Sequence, residues 1–418
     1  MRSRRDHGSI YLVTVLVCAL VTTLAAAALA LARRQAQQAT LYADSAIADS
    51  LTRSAVAASL HWAAGDPAWR QNAPNAIVGG TVTRVWDQWH TLRDGRIHAL
   101  PSAWIGGSLQ DSEIDPFLIT ITAERGPVRR RTSVVIDPRI QPLPVLQHGL
   151  YAAVSLEVKA GNPLTGNGVN IRCGGNARID GVIHADLLTS TRSGGGTING
   201  TISTGAPTLS LPDAAALDRL IARATRINNA GDIDKKLISP AVNTYGSRAL
   251  NPLGLYYIHS VGDDITIKES RISGTLVVNV GTGKKVVIDG SVLMESLRAD
   301  LPALIVIGNC ELNLRSATET LNESSHKVNF NPAGAPYEGV EDADTTDTYP
   351  AIIRGLVYVT GNLTIKESPR VEGPVICGGS VLVDGRCEIL SPPTATPPAP
   401  FYAITGHVIR EGTWMRLP

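Results

Sequence analysis

The sequence is poor in aromatic residues, with 3 phenylalanines and 5% aromatics overall. It lacks the large rings that fill helical bundles, and 39 glycines with 25 prolines point instead to many short strands joined by tight turns. Net charge is lacking too. The 38 Lys+Arg against 37 Asp+Glu leave +1, which excludes the broad basic field that nucleic acid requires. Cysteine is scarce: Cys18 lies in the apolar N-terminal run, Cys173, Cys310, Cys377 and Cys387 lie far downstream, and no Cys-x-x-Cys pair exists. Structural zinc of the finger type is thereby excluded. Gly194-Gly195-Gly196 is followed by neither lysine nor a helical pattern, so no phosphate loop or dinucleotide fingerprint is present, and no Ser-His-Asp arrangement is evident. At 418 residues the chain exceeds one average domain.

What is present begins with the basic residues Arg2, Arg4 and Arg5 and a continuous apolar run from Ile10 to Ala32. As a helix that run spans roughly 35 Å, enough for bilayer hydrocarbon, and it exceeds the apolar core of a cleaved secretory signal. The pattern continues through Arg33-Arg34 into Leu41, Ala46, Ile47, Leu51, Ala55, Ala58 and Trp62 at spacings of three and four, without Gly or Pro until Gly65-Asp66-Pro67. A single helix of about fifty-five residues is predicted, its first half fit for lipid and its second half amphipathic. The basic residues before the span favour a cytoplasmic N-terminus.

The short basic leader ending in Gly8, the stretch Ser9-Ile10-Tyr11-Leu12-Val13 and the Ala-rich amphipathic continuation resemble the type IV pilin and type II secretion pseudopilin family, particularly its PilX-like minor members. The resemblance covers roughly the first sixty-five residues. It implies cleavage by a prepilin peptidase between Gly8 and Ser9, packing with other pilin-like subunits through the helix, and a bacterial inner-membrane location with the body periplasmic or at the cell surface. Val13 stands where the family has glutamate and Ser9 where it has phenylalanine. These departures fit a minor subunit rather than a polymer-forming one. An uncleaved signal anchor is the alternative.

Residues 67–144 read as a small α+β head. Thr81-Val82-Thr83-Arg84-Val85 is a strand candidate, while 117–122 and 131–136 flank Gly126-Pro127 as an antiparallel hairpin expected to pack on the helix. Trp62, Trp69, Trp86, Trp89 and Trp104 are expected to build that helix–sheet core. His90 and His98, for which no carboxylate or cysteine partner is assigned, read as surface or satisfied histidines. The stretch from Asp137-Pro138 to Leu143-Pro144 reads as a linker.

Residues 145–418 carry a repeated signature, a branched residue, a small polar or acidic one, then glycine: Ile179-Asp180-Gly181, Ile198-Asn199-Gly200, Ile272-Ser273-Gly274, Ile288-Asp289-Gly290, Val371-Glu372-Gly373 and Val383-Asp384-Gly385. Asp264-Ile265-Thr266-Ile267-Lys268-Glu269-Ser270 is echoed by Asn362-Leu363-Thr364-Ile365-Lys366-Glu367-Ser368. Glycine allows a strand to turn a corner while Ile, Val and Leu stack coil on coil, so a parallel β-helix is predicted, with Cys310 facing inward. A helix at 212–228 is expected to cover its flank, and the polar segment 315–350 to protrude. Pro392-Pro393 to Pro400 reads as a stiff spacer before the last strand.

The expected fold is mainly β: a long N-terminal helix, a small pilin-like antiparallel sheet, then the β-helix. The expected role is structural, with no cofactor other than calcium, for which Asp342, Asp344 and Asp347 offer oxygen ligands in a loop that also reads as plainly solvated. Cys377 and Cys387, ten residues apart, could form a disulfide, or remain buried thiols. Two other functions stay open: a membrane-tethered polysaccharide lyase or hydrolase, and a signal-anchored adhesin or scaffold. Asp180, Asp289, Glu372 and Asp384 recur at one turn position, which suits corners better than the paired carboxylates catalysis needs.

Overall fold

The computed structural model describes residues 6–66, 69–72, 75–78, 81–84, 86–104, 109, 112–228, 231–316, 318–390 and 396–417. The chain divides into two units, Met1–Arg139 with Ile404–Pro418, and Ile140–Ala403.

In the first unit, the predicted helix is one unbroken element, α1 (Asp6–Gly65). Leu51, Ala55, Val56 and Ala63 of its second half are buried with Ile97, Ala99, Phe117, Ile119 and Ile121 of an antiparallel sheet. Burial of such side chains is the main source of stability for a helix in a folded protein. Trp69 and Trp86 complete the core, with ring centroids 5.3 Å apart, and Trp62 meets Trp86 edge-on at 5.7 Å. Trp89 instead lies 40% exposed under the Arg96 guanidinium. Charges fix the helix laterally: Asp44 pairs with Arg125 at 3.5 Å, and Asp49 with Arg130 at 3.6 Å and Arg416 at 2.7 Å. The expected hairpin forms around Gly126-Pro127, Phe117–Arg125 pairing antiparallel with Val128–Pro142 so that Phe117 lies opposite Ile136.

Thr81–Arg84 pairs with Asn75–Val78, and Val85 lies outside the described residues. His98 does have a carboxylate partner, Asp87 at 3.1 Å. The proposed linker is strand as far as Pro142, because its edge is paired.

The last residues depart from the sequence expectation. The boundary 145–418 placed them in the β-helix, yet Tyr402–Ile409 and Met415–Leu417 both join the first unit's sheet beside Val128–Pro142. Two ion pairs explain their destination, Arg410 to Asp137 at 2.6 Å and Arg416 to Asp49. The β-helix is therefore an insertion between two strands of one sheet.

The second unit is a three-faced parallel β-helix. Its first coil, Leu150–Ala152, Ser155–Val158 and Pro163–Asn167, is not at an end. Leu150 pairs with Ile171 on one side and with Val375 of the last coil on the other. From this middle coil the chain winds outward to Ile202–Ser203 and crosses through α2 (Ala214–Arg223) to Thr225–Ile227 at the far end. It then winds back coil by coil until Val375–Cys377, Val381–Val383 and Cys387–Leu390 close on the first. Inside runs an apolar column, Ile171, Leu150, Val375, Val357, Leu304 and Leu276 in register.

The repeat glycines serve two ends. Gly290 (φ 69°) and Gly274 (φ 143°) take the left-handed turn expected of them. At Gly181, Gly200, Gly373 and Gly385 the need is closeness instead: an added Cβ would come within 2.2–2.5 Å of a carbonyl oxygen of a neighbouring coil or turn. The duplicated Lys-Glu-Ser corners turn without glycine, Glu269 at φ 46° and Glu367 at φ 49°.

Two coverings complete the unit. Asp213 caps α2 by accepting from the Ala216 amide at 2.6 Å, and Leu217 and Leu220 pack over the outward column Tyr151, Ile376, Tyr358, Ile305 and Val277. The segment 315–350 does not protrude as expected. Leu321, Phe330 and Tyr349 lie buried on Leu293 and Ile352, and the fully buried Arg271 donates to the carbonyls of Phe330 and Ala335 at 2.7 and 2.8 Å. Its polar composition hid three widely spaced anchors.

Candidate membrane anchor and display surface

The lipid-compatible half of α1 is built from Ile, Val, Leu and Ala, and none of its apolar window is buried in the protein. Ile10, Leu12, Val13, Leu16, Val17, Leu20 and Leu24 are each at least half exposed. Among the described residues, α1 is long and apolar enough to cross a bilayer. Hydroxyls along it bond back to the preceding turn, Thr14 to the Ile10 carbonyl at 2.8 Å and Thr23 to that of Ala19 at 2.9 Å, which spares them an unsatisfied donor in lipid. Gly8 and Ser9 lie in the first turns of the same helix.

The β-helix surface is dominated by coil-to-coil pairing. Along one corner Asp234, Lys268, Asp289 and Asn313 follow one another in strand register, and Lys366, Asp384, Lys159 and Asp180 each come one residue after the last paired residue of their strands. Lys159 reaches Asp384 at 2.7 Å, Arg178 reaches Asp180 at 2.8 Å, and Asn313 donates to Asp289 at 2.5 Å. Glu372 lies on another face, between Arg354 at 3.2 Å and Arg370 at 3.0 Å. Thus the four acidic residues of the repeat are consumed in pairs rather than brought together. Burial pushes the Glu311 carboxyl up, but the Lys285 and Lys366 ammoniums at 2.8 and 3.0 Å outweigh it and hold the group below the usual carboxylate range. A cavity of 210 Å³ between Leu301, Leu356, Pro374 and Arg354 is smaller than the roughly 300 Å³ at which ordinary ligand pockets begin.

The cysteines are free. Cys377 stacks between Val359 and Ala152 on one face, and Cys387 pairs with Leu164 on another, so the ten-residue offset separates the two across the coil and no disulfide joins them. Burial pushes both thiols up to about 12, and Cys310, in the core as predicted, is raised by the same cause.

The three candidate calcium ligands part company. Asp344 is exposed and accepts from its own Thr346 at 2.7 Å. Asp342 and Asp347 instead converge on Asn331, whose Nδ2 donates to them at 3.3 and 2.9 Å. Asp347 is raised above the usual range, first by desolvation and then by Asp342. Beside them the fully buried Glu323 accepts from the Tyr349 hydroxyl at 2.8 Å and the Asp347 amide at 3.2 Å. Sequence reading missed Asn331 and Glu323, since nothing local distinguishes them from other polar loop residues.

Fold and surface together define a mainly β protein with one long, exposed apolar N-terminal helix and a parallel β-helix that lies, along the chain, between two strands of the antiparallel sheet. No known protein family matches the chain, and no curated protein is similar to it in sequence. Among solved structures it is similar to the competence-associated pilin ComZ from Thermus thermophilus, at 12% identity and TM-score 0.29, covering 90% of this chain and 96% of that one. It is also similar to an ice-binding protein from the Antarctic ascomycete Antarctomyces psychrotrophicus, at 10% identity and TM-score 0.24, covering 60% and 100%. A third is an ice-binding protein from an Antarctic biological consortium, at 15% identity and TM-score 0.24, covering 60% and 92%. Similarity at this level identifies neither a family nor an activity.

Proposed function

We propose that the protein is a structural, pilin-like minor subunit of a type IV pilus or type II secretion type assembly. It is anchored once in the bacterial inner membrane with its N-terminus cytoplasmic, and it displays the β-helix outside. The observation that carries this reading is α1: one unbroken helix whose apolar stretch from Ile10 to Ala32 is exposed and whose second half packs into the core of an antiparallel sheet. Such a helix places a folded head next to the membrane with no flexible joint, and its bare apolar face is suited to lipid and to the same helix of other subunits. Val13 leaves it without the charge that would pair with a neighbour's terminal amine, which fits a minor position. The acid–base pairing of the β-helix corner supports display over polysaccharide cleavage.

The test is processing. Co-expression with a prepilin peptidase should remove Met1–Gly8 and leave Ser9 as an N-methylated terminus, read by mass spectrometry of the membrane-extracted protein. An intact N-terminus in the presence of active peptidase would leave a simple signal anchor.

A further inference from the structure

From Ile10 to Ala43 every residue of α1 is exposed, and the head begins where Asp44 meets the hairpin: Asp44 pairs with Arg125 at 3.5 Å, and a Cβ at Gly126 would lie 3.2 Å from its Oδ2. Strand register brings the neighbouring chain ends to the same rim. Leu92 pairs with Gly95 around Arg93 and Asp94, Arg96 with Glu124, Arg125 with Val128, and Leu417 with Arg131. The rim of the sheet next to the bare stretch of helix is thus two turns and a terminal strand. Its charge is one-sided. The hairpin brings Arg125, Arg129, Arg130 and Arg131, the adjacent turn Arg93 and Arg96, and the last strand Arg416. Against these seven arginines stand four carboxylates, Asp44, Asp49, Asp94 and Glu124, a surplus of three in a chain whose net charge is +1. Glu124 is shared by Arg96 at 2.6 Å and Arg129 at 3.5 Å, and Asp49 by Arg130 and Arg416. The exposed Arg93 and Arg131 form no ion pair among the described residues.

We propose that this rim is a docking surface for anionic phospholipid headgroups, which holds the head against the bilayer that α1 spans. Arg33 and Arg34 end the apolar run, and α1 continues from Arg33 to Asp44 without a break, about 17 Å along its axis. The polar headgroup layer takes up roughly 5–8 Å of that distance. About 10 Å remain, comparable to the Debye length of about 8 Å at physiological ionic strength, and an arginine side chain crosses much of it. Basic residues this close to an anionic surface are attracted to it, whereas their exposed pairs with carboxylates are worth little and yield easily. Phosphate takes two guanidinium donors at once, which suits arginine over lysine, and the first unit contains no lysine. The proposal rests on the membrane anchor and not on the direction in which the chain crosses.

The experiment uses the full chain in lipid nanodiscs, one set of phosphatidylcholine and one of phosphatidylcholine mixed with phosphatidylglycerol. Both are treated with the arginine reagent phenylglyoxal, and labelling is followed residue by residue by peptide mass spectrometry. Arg129 and Arg131 should label about threefold more slowly in the anionic discs, and molar salt should remove the difference. Arg139, roughly 26 Å further along the same strand, should label alike in both. Arg93→Gln with Arg131→Gln removes two exposed charges that support no ion pair and should at least halve the slowing at Arg129. Equal labelling of Arg129 and Arg131 in the two discs would overturn the proposal, whether the rim is bare or covered by protein, since neither depends on lipid charge. A chain that enters neither disc would overturn the anchor itself and the rim with it.

Discussion

At Gly373 a single hydrogen atom decides whether two coils can touch. A Cβ there would sit 2.2 Å from the Gly355 carbonyl oxygen, and backbone on both sides is tied into ladders that cannot yield cheaply. Gly195 meets nothing within 4 Å and does not have a left-handed φ. Gly373→Ala should therefore lose about 1–3 kcal/mol, the usual cost of overpacking, while Gly195→Ala should stay within about 0.5 kcal/mol. Urea denaturation followed by circular dichroism would decide; equal losses at the two sites would refute the close-approach account. Both residues sit in glycine-rich surroundings, and only the distance to the next coil tells them apart.

Among elements, α2 shows how a short helix is held by packing rather than by its own propensity. Ten residues are marginal for an isolated helix. Leu220, 2% exposed, and Leu217 seat it on the outward column of the β-helix, and the Asp213 cap satisfies one amide at its start. Leu220→Ala is expected to cost about 2–3 kcal/mol, and Asp213→Ala about 1 kcal/mol. A smaller loss for the leucine than for the cap, in the same denaturation assay, would mean that the helix is held locally.

For the molecule as a whole, the closing of the last coil on the first is the decisive contact. Lys159 and Asp384, and likewise Ser155 and Ser380, meet across 225 residues of sequence. Closure entropy for such loops must be met before the contacts form, so the middle of the stack is completed last. A chain ending at Glu372 is expected to lose amide protection at Leu150–Val158, in the middle of the β-helix, while Leu255–Glu295 stays protected. Hydrogen exchange by mass spectrometry measures this directly; undisturbed protection at Leu150–Val158 would contradict the observed stacking order.

Much of this was legible from residues alone. The helix was, because an apolar run followed by three-and-four spacing is a local property of one segment. The parallel strands were, because glycine beside a branched residue recurs from coil to coil, at corners or where backbones approach closely. Gly8 and Ser9 as a processing site rest on resemblance alone, and Asp342 and Asp347 as calcium ligands on composition alone. What sequence left open depended on distant partners. Coil edges are chemically alike, so periodicity sets how a coil is shaped but not which coil it stacks upon; columns such as Lys159 with Asp384 choose among them. The last strands alternate like any edge strand, and contacts with distant residues, Arg410 with Asp137, Arg416 with Asp49 and His407 against Phe117 among them, seat them on the first unit's sheet. Asn331 acquires meaning in the same way: an ordinary amide in the chain, it ties two carboxylates together once folding sets them against its nitrogen. Local chemistry determined the pieces of this protein, and tertiary structure determined their order, because order is an energy of contacts between residues far apart in the chain.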